Sequence, residues 1–224
     1  MDNSLNQSTY EQLKKDILTF ALKPGDTVSA AKVASRYNVS RTPAREALVR
    51  LETEGLVDII PQSKSVISRI NLNKAKQEWF IRQSLEMAMV SRVINHIQPE
   101  DIKEMKKYNK QMTKLMKHNP DITSSYEYQC ADHAFHAVTF KTAGQEMALA
   151  VISNNNSNYS RLRFLTELED SYQGRTVAGH DELISLLEKR DKEGYAKALS
   201  LHLGHIINDI THLERKYPNY FIKE

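Results

Sequence analysis

Apolar residues recur at spacings of three and four through most of this chain, the mark of helices, and β-prone runs are confined to one short region. Leu13, Ile17, Leu18 and Ala21 make a helical stripe across residues 9–22, and residues 23–27, centred on Pro24-Gly25, read as a turn. Ser29 then stands as the cap of a short helix carrying Val33, Ala34 and Tyr37. A second cap, Ser40, opens a helix with Pro43 in its first turn and Ala44, Ala47, Leu48 and Leu51 along one face. Gly55 supplies a positive-φ stop. Residues 56–60 and 65–70 read as two strands joined by Pro61-Gln62-Ser63-Lys64. Three helices and this hairpin predict a winged helix-turn-helix domain over residues 1–70.

Residues 71–74 read as a linker, and residues 75–224 as a second, all-helical domain. Its helices are predicted near 74–97, 100–116, 122–141, 145–169, 175–189 and 192–217. Asn119-Pro120 breaks the second from the third, and Asp121 caps the third. Six helices in this length make a bundle, so the fold class is mainly α with a small β wing. Asn154, Asn155, Asn156 and Asn158 are unusual inside a helix, because Asn competes for backbone hydrogen bonds. One or two of them are expected to face a polar cavity.

Composition changes this picture little. The 40% hydrophobic content suffices for real cores, and the net charge of +3 by itself does not argue for nucleic acid. The informative asymmetry is local: Arg36, Arg41, Arg45 and Arg50 are opposed between residues 36 and 50 only by Glu46. The single cysteine, Cys130, excludes an intrachain disulfide, fits a cytoplasmic setting and reads as a small buried apolar residue. No apolar run is long enough to span a bilayer, and no secretory signal is expected.

Candidate chemistry enters at the second capped helix. Arg41, Thr42 and Arg45 lie near its N-terminal end, where a recognition helix meets bases and phosphates. The segments LKPGD, SRTPAREAL and LETEGL, in this order and spacing, resemble the DNA-binding domain of the GntR family of bacterial transcription regulators, over about residues 9–70. Carried over by position, the resemblance implies DNA contacts from Ser40, Arg41, Thr42 and Arg45. Two departures stand out. Ala31 replaces an arginine that touches DNA in many relatives, and Gln62-Ser63-Lys64 replaces a wing glycine. Lys64 is then the candidate wing contact to phosphate.

In the helical half, Asp132 and His136 are one turn apart on one face, and His180 and His202 lie on two later helices. Three imidazoles and one carboxylate suit a divalent transition metal, zinc first, with nickel or manganese as alternatives. A histidine in a helical pattern can equally be a hydrogen-bonded core residue, and His133, His205 and His212 are decoys, His205 being the substitute for His202. This half resembles the all-helical FCD-type effector domain of the FadR subfamily. In its metal-binding branch an Asp-x-x-x-His pair is joined by two later histidines, which implies Asp132, His136, His180 and His202 as ligands. The resemblance also implies a small carboxylate effector at open metal positions, with Arg82, Arg161 and Arg163 as candidates to complement its charge.

The expected function is a ligand-responsive regulator, a repressor, acting as a homodimer on a double-stranded DNA operator, with no membrane partner. The alternatives are a metalloenzyme using the His/Asp site and a metal-free regulator answering to an acyl ligand. No motif places a general base, and a DNA-reading module would have no role in an enzyme, so no catalytic residue is assigned.

Overall fold

The computed structural model describes residues 2–60, 64–116, 122–168 and 174–222. In the N-terminal half, α1 (Asp2–Leu18), α2 (Ala30–Tyr37) and α3 (Arg41–Thr53) pack on a small sheet of β1 (Thr27–Val28), β2 (Val57–Asp58) and β3 (Ser65–Ile67). Their core joins Leu13 and Ile17 of α1 to Val33 of α2, Leu48 and Leu51 of α3 and Ile67 of β3. The apolar face read for α3 is the one buried: Ala44, Ala47, Leu48 and Leu51. Gly55 turns the chain at φ +72° immediately after α3.

The sheet has three strands where a two-stranded hairpin was expected. β3 is central, pairing antiparallel with β2 (Val57 opposite Ile67) and with β1 (Thr27 opposite Val66). Thr27-Val28 was hidden inside the expected turn, because two residues carry no alternation to read. The turn residues 61–63 lie outside the described residues.

α1 ends at Leu18, four residues before the expected end at residue 22. Phe20 adopts φ +58°, rare for an aromatic residue, and is held there by packing against Phe164 and Tyr220, with ring centroids 5.7 and 5.1 Å away. A distant aromatic cluster, not local propensity, ends the helix.

The second half contains α4 (Leu72–His96), α5 (Pro99–Met116), α6 (Ile122–Thr142), α7 (Glu146–Asn154), α8 (Ser157–Glu167), α9 (Arg175–Glu188) and α10 (Lys192–Lys216). The long helix expected over 145–169 is two helices. Asn155 and Asn156 leave helical geometry at φ −130° and −138°, as their competing side chains favour. Of the residues expected as a linker, 72–74 lie in α4. Asn71 caps α4, its side chain accepting from the Lys74 amide, so the helix begins at once. Asn119-Pro120 and the cap expected at Asp121 lie outside the described residues. Cys130, expected to be buried, is exposed on α6.

The two halves are tied together by buried polar contacts. Ile70 pairs with the C-terminal segment, its amide donating to Tyr220 O and its carbonyl accepting from Ile222. Arg161 of α8 is fully buried and donates to Ser68 O at 2.6 Å, to Ser157 O and to Asn158 Oδ1. Asn158 Oδ1 also accepts from the Asn71 amide, and its Nδ2 donates to Glu78. Burial pulls the Arg161 guanidinium down to about 10, yet Glu78 and Asp58 keep it charged at neutral pH. Arg161→Met keeps the apolar stem but leaves the Ser68 carbonyl unsatisfied. It should cost roughly 3 kcal/mol, read as a lowered urea midpoint.

Candidate DNA-binding face and metal centre

α3 holds its C-terminal turns in the core and its N-terminal turn toward solvent, where Ser40, Arg41, Thr42 and Arg45 are all exposed. Ser40 occupies the cap position in extended geometry without a side-chain cap bond, so its hydroxyl is available to a partner. The four arginines between residues 36 and 50 divide by role. Arg36 pairs with Asp16 of α1 at 2.7 Å, and Arg50 lies 3.6 Å from the centre of the Tyr10 ring and donates to Gln7. Those two hold α2 and α3 to α1. Arg41 and Arg45, one turn apart, remain on the open face. Lys64 is exposed at the start of β3.

The second site lies inside the bundle. Asp132 and His136 come from α6, His180 from α9 and His202 from α10. Each offers one donor atom, and the four atoms lie within 4.8 Å of one another. Asp132, His136 and His180 are buried, and His202 is partly so. His133 lines the cavity beside the cluster, His212 is exposed, and neither they nor His205 join the donor set.

The rings are oriented from behind. His136 Nδ1 lies 2.8 Å from Glu86 Oε2, and Glu86 Oε1 accepts from Arg82 Nε at 2.7 Å. His180 Nδ1 lies 3.2 Å from Asn109 Oδ1, and the Asn109 amide is fixed by donating to Asp181 and to the Val177 carbonyl. Each Nδ1 thus faces an acceptor, which turns Nε2 of both rings inward. Phe135 stacks on His180 at 3.7 Å. Gly179 is required beside His202, since a Cβ there would stand 2.8 Å from His202 Nδ1.

Charge balance keeps the donors in ligand form. Burial alone would raise the Asp132 carboxyl, but the Arg163 guanidinium above all holds it well below the usual carboxylate range. Arg163 Nη2 is 2.9 Å from Asp132 Oδ2. Burial would likewise raise Glu86, but His136 and Arg82 bring it down to about 2. Burial pushes His180 and His202 well below the ordinary imidazole value, so both are neutral at neutral pH. His180 Nε2 and His202 Nδ1 are buried without a hydrogen-bond partner. Orphaned lone pairs of this kind are costly unless a cation takes them, and the donor set fits zinc, nickel or manganese.

A cavity of about 280 Å³ opens beside this cluster, with Arg82, Glu86, His136 and Arg163 on its polar side. Arg161 does not line it. The effector role expected of Arg161 is therefore corrected: two residues from Arg163 on α8, it faces the junction between the halves instead. Of the asparagines, Asn156 lines the cavity while Asn158 serves the junction. Glu86 and Asn109 were missed from sequence. Their signal was a polar residue on an apolar helical stripe: Glu86 beside Met89 and Val93 on α4, and Asn109 between Met105 and Met112 on α5.

Residues 5–67 match the family described as bacterial regulatory proteins, gntR family, and residues 79–205 match the FCD domain. The HTH-type transcriptional repressor RspR of Escherichia coli is 27% identical over 220 residues, covering 98% of this chain and 95% of that one. The solved structure of E. coli McbR/YncC superposes with a TM-score of 0.75 at 18% identity, covering 95% of this chain and 98% of that one. A transcriptional regulator structure from Rhodococcus sp. RHA1 gives 0.75 at 16% identity, covering 93% and 98%. These relatives are regulators, not enzymes. Among the described residues no helix is long and apolar enough to cross a membrane.

The buried neutral rings make the metal-free protein acid-sensitive. His180 and His202 stay neutral when folded but protonate near pH 6.5 once unfolded, so below that pH the unfolded chain binds more protons. Their contribution is therefore intact above about pH 6.5 and lost as the pH falls below it. Urea unfolding of chelator-treated protein from about pH 8 to 5 should show that loss, and His202→Asn should make it shallower. Equal slopes in both proteins would refute neutral burial of this ring.

Proposed function

Since the chain belongs to the GntR family of bacterial regulatory proteins, with an FCD effector domain, we propose that it is a cytoplasmic, metal-dependent repressor whose hold on operator DNA answers to a small carboxylate. The observation that carries the reading is the buried convergence of Asp132, His136, His180 and His202, with two nitrogens lacking a hydrogen-bond partner. These four residues would hold one divalent ion, zinc first, nickel or manganese otherwise. Such an ion would supply Lewis acidity to a carboxylate oxygen through its open positions. Arg82 and Arg163 border the adjoining cavity and complement the ligand's charge.

A homodimer would set two α3 helices about one helical turn, ~34 Å, apart on a roughly palindromic operator. Arg41 and Arg45 would read base edges or phosphates, Ser40 and Thr42 phosphate oxygens, and Lys64 a phosphate beside the wing. The ligand regulates only if it binds the DNA-competent and DNA-incompetent arrangements with different affinity. The name of the E. coli relative supports the sign of control, repression.

Untagged protein purified without chelator should carry about one transition metal per chain, lost in His180→Ala and His202→Ala. Glu86→Gln and Asn109→Ala should retain the site but weaken metal affinity about 10–100-fold, because the rings lose their orienting partners. A wild-type protein that takes up no metal even on reconstitution would remove the metal from this reading. On a duplex selected by the wild-type protein from random sequence, Arg45→Ala should cost roughly 1–3 kcal/mol. Lys64→Ala should reduce the salt slope of binding by about one, and an unchanged slope would take Lys64 out of the interface.

A further inference from the structure

The cavity beside the metal-ligand cluster is not enclosed by effector helices alone. Lys14 and Leu18 of α1, an element of the DNA-binding half, form part of its wall. Next to them the Lys15 ammonium sits 4.9 Å from the centre of the Tyr126 ring on α6. The cavity therefore spans the seam between the two halves.

Its lining changes character from one element to the next. Arg82, Arg163 and His136 supply a cationic, ligand-ready side. Phe140, Leu149 and Ile152 make an apolar wall. α1 then adds a third cation, Lys14. Its Nζ lies 2.6 Å from Glu54 Oε2 and donates to the Tyr10 hydroxyl at 3.1 Å. An ammonium carries three protons, so one remains for an acceptor in the cavity. The Lys14 side chain is 30% exposed rather than sealed by its two partners. Glu54 is the C-cap of α3, so one ammonium stands between the cavity and the end of the recognition helix.

A single carboxylate on a short apolar body engages the arginine side alone and makes no use of the remaining Lys14 proton. We propose that the ligand of this cavity is a two-ended organic anion of the dicarboxylate class, bound across the seam with its far carboxylate on Lys14. This rests on the carboxylate reading above and makes the DNA-binding half part of the binding site itself. Affinity for such a ligand depends on where α1 stands. By linkage, any DNA that favours another position of α1 weakens the ligand, and the ligand weakens the DNA by the same factor.

The test is calorimetric titration of full-length protein supplied with zinc. The probes are the linear dicarboxylates from malonate to suberate and the monocarboxylates of matching length, on wild type and on Lys14→Met. Methionine keeps an apolar stem in the wall and removes the charge. One dicarboxylate length should bind about tenfold or more tighter than its monocarboxylate. Lys14→Met should erase that preference while leaving monocarboxylate affinity unchanged, which also reports an intact fold. Equal affinity for both classes at every length, or a preference that survives Lys14→Met, overturns the proposal and leaves the one-ended carboxylate site standing. Binding of neither class overturns the carboxylate reading and this proposal together. Should Lys14→Met fail to fold, the wild-type comparison of the two classes decides.

Discussion

The ion pair between Asp132 and Arg163, sunk in the middle of a helical bundle, sets the terms for what surrounds it. An ionised carboxylate in that position is tolerable only with opposite charge in contact. Arg163 supplies it directly, and Arg82 stands 4.0 Å away on the same oxygen. Arg82 in turn needs Glu86, and Glu86 takes the back of His136. Each buried charge thus requires the next, and the chain of pairings ends on imidazole nitrogens facing one another. Glu167 marks the limit of the scheme. Burial and the charge of Asp132 raise its carboxyl to about 8 even though Arg163 is 3.8 Å away, so it is neutral at pH 7.

α8 serves two sites at once. Residues two positions apart on a helix point about 200° from one another, and Arg161 and Arg163 use that divergence. One guanidinium holds the carbonyl of Ser68 at the root of the DNA-binding half, and the other holds a carboxylate of the candidate metal centre. The short length of α8 follows from the break at Asn155-Asn156, so it is an element of its own rather than the end of a longer rod. Because Arg161 is buried in the junction and Arg163 is paired with Asp132, a displacement of α8 disturbs both sites together.

The helices were legible from sequence because their apolar stripes run for several turns, long enough for period to outweigh accident. Ala44, Ala47, Leu48 and Leu51 are an example, and the cap Ser29 is local hydrogen-bond chemistry of the same short range. Expectation failed where a distant partner decided. Phe20 ends α1 because Phe164 and Tyr220 capture it, and β1 exists because β3 offers an edge to a two-residue segment. Neither partner is a sequence neighbour.

The candidate site divides along the same line. Sequence alone determined the helical class, the winged helix-turn-helix, the exposed Arg41 and Arg45, and a donor set of one Asp and three His, since residue type and spacing are local properties. Only the tertiary structure decided that those four donors meet, that Glu86 and Asn109 orient two of the rings, that Arg161 belongs to the junction and that Cys130 is exposed. It also decided that α1 walls the cavity beside the donor cluster. The reason is physical: convergence and burial depend on how helices far apart in the chain are oriented, and a helical repeat specifies which face is apolar but not which neighbour covers it.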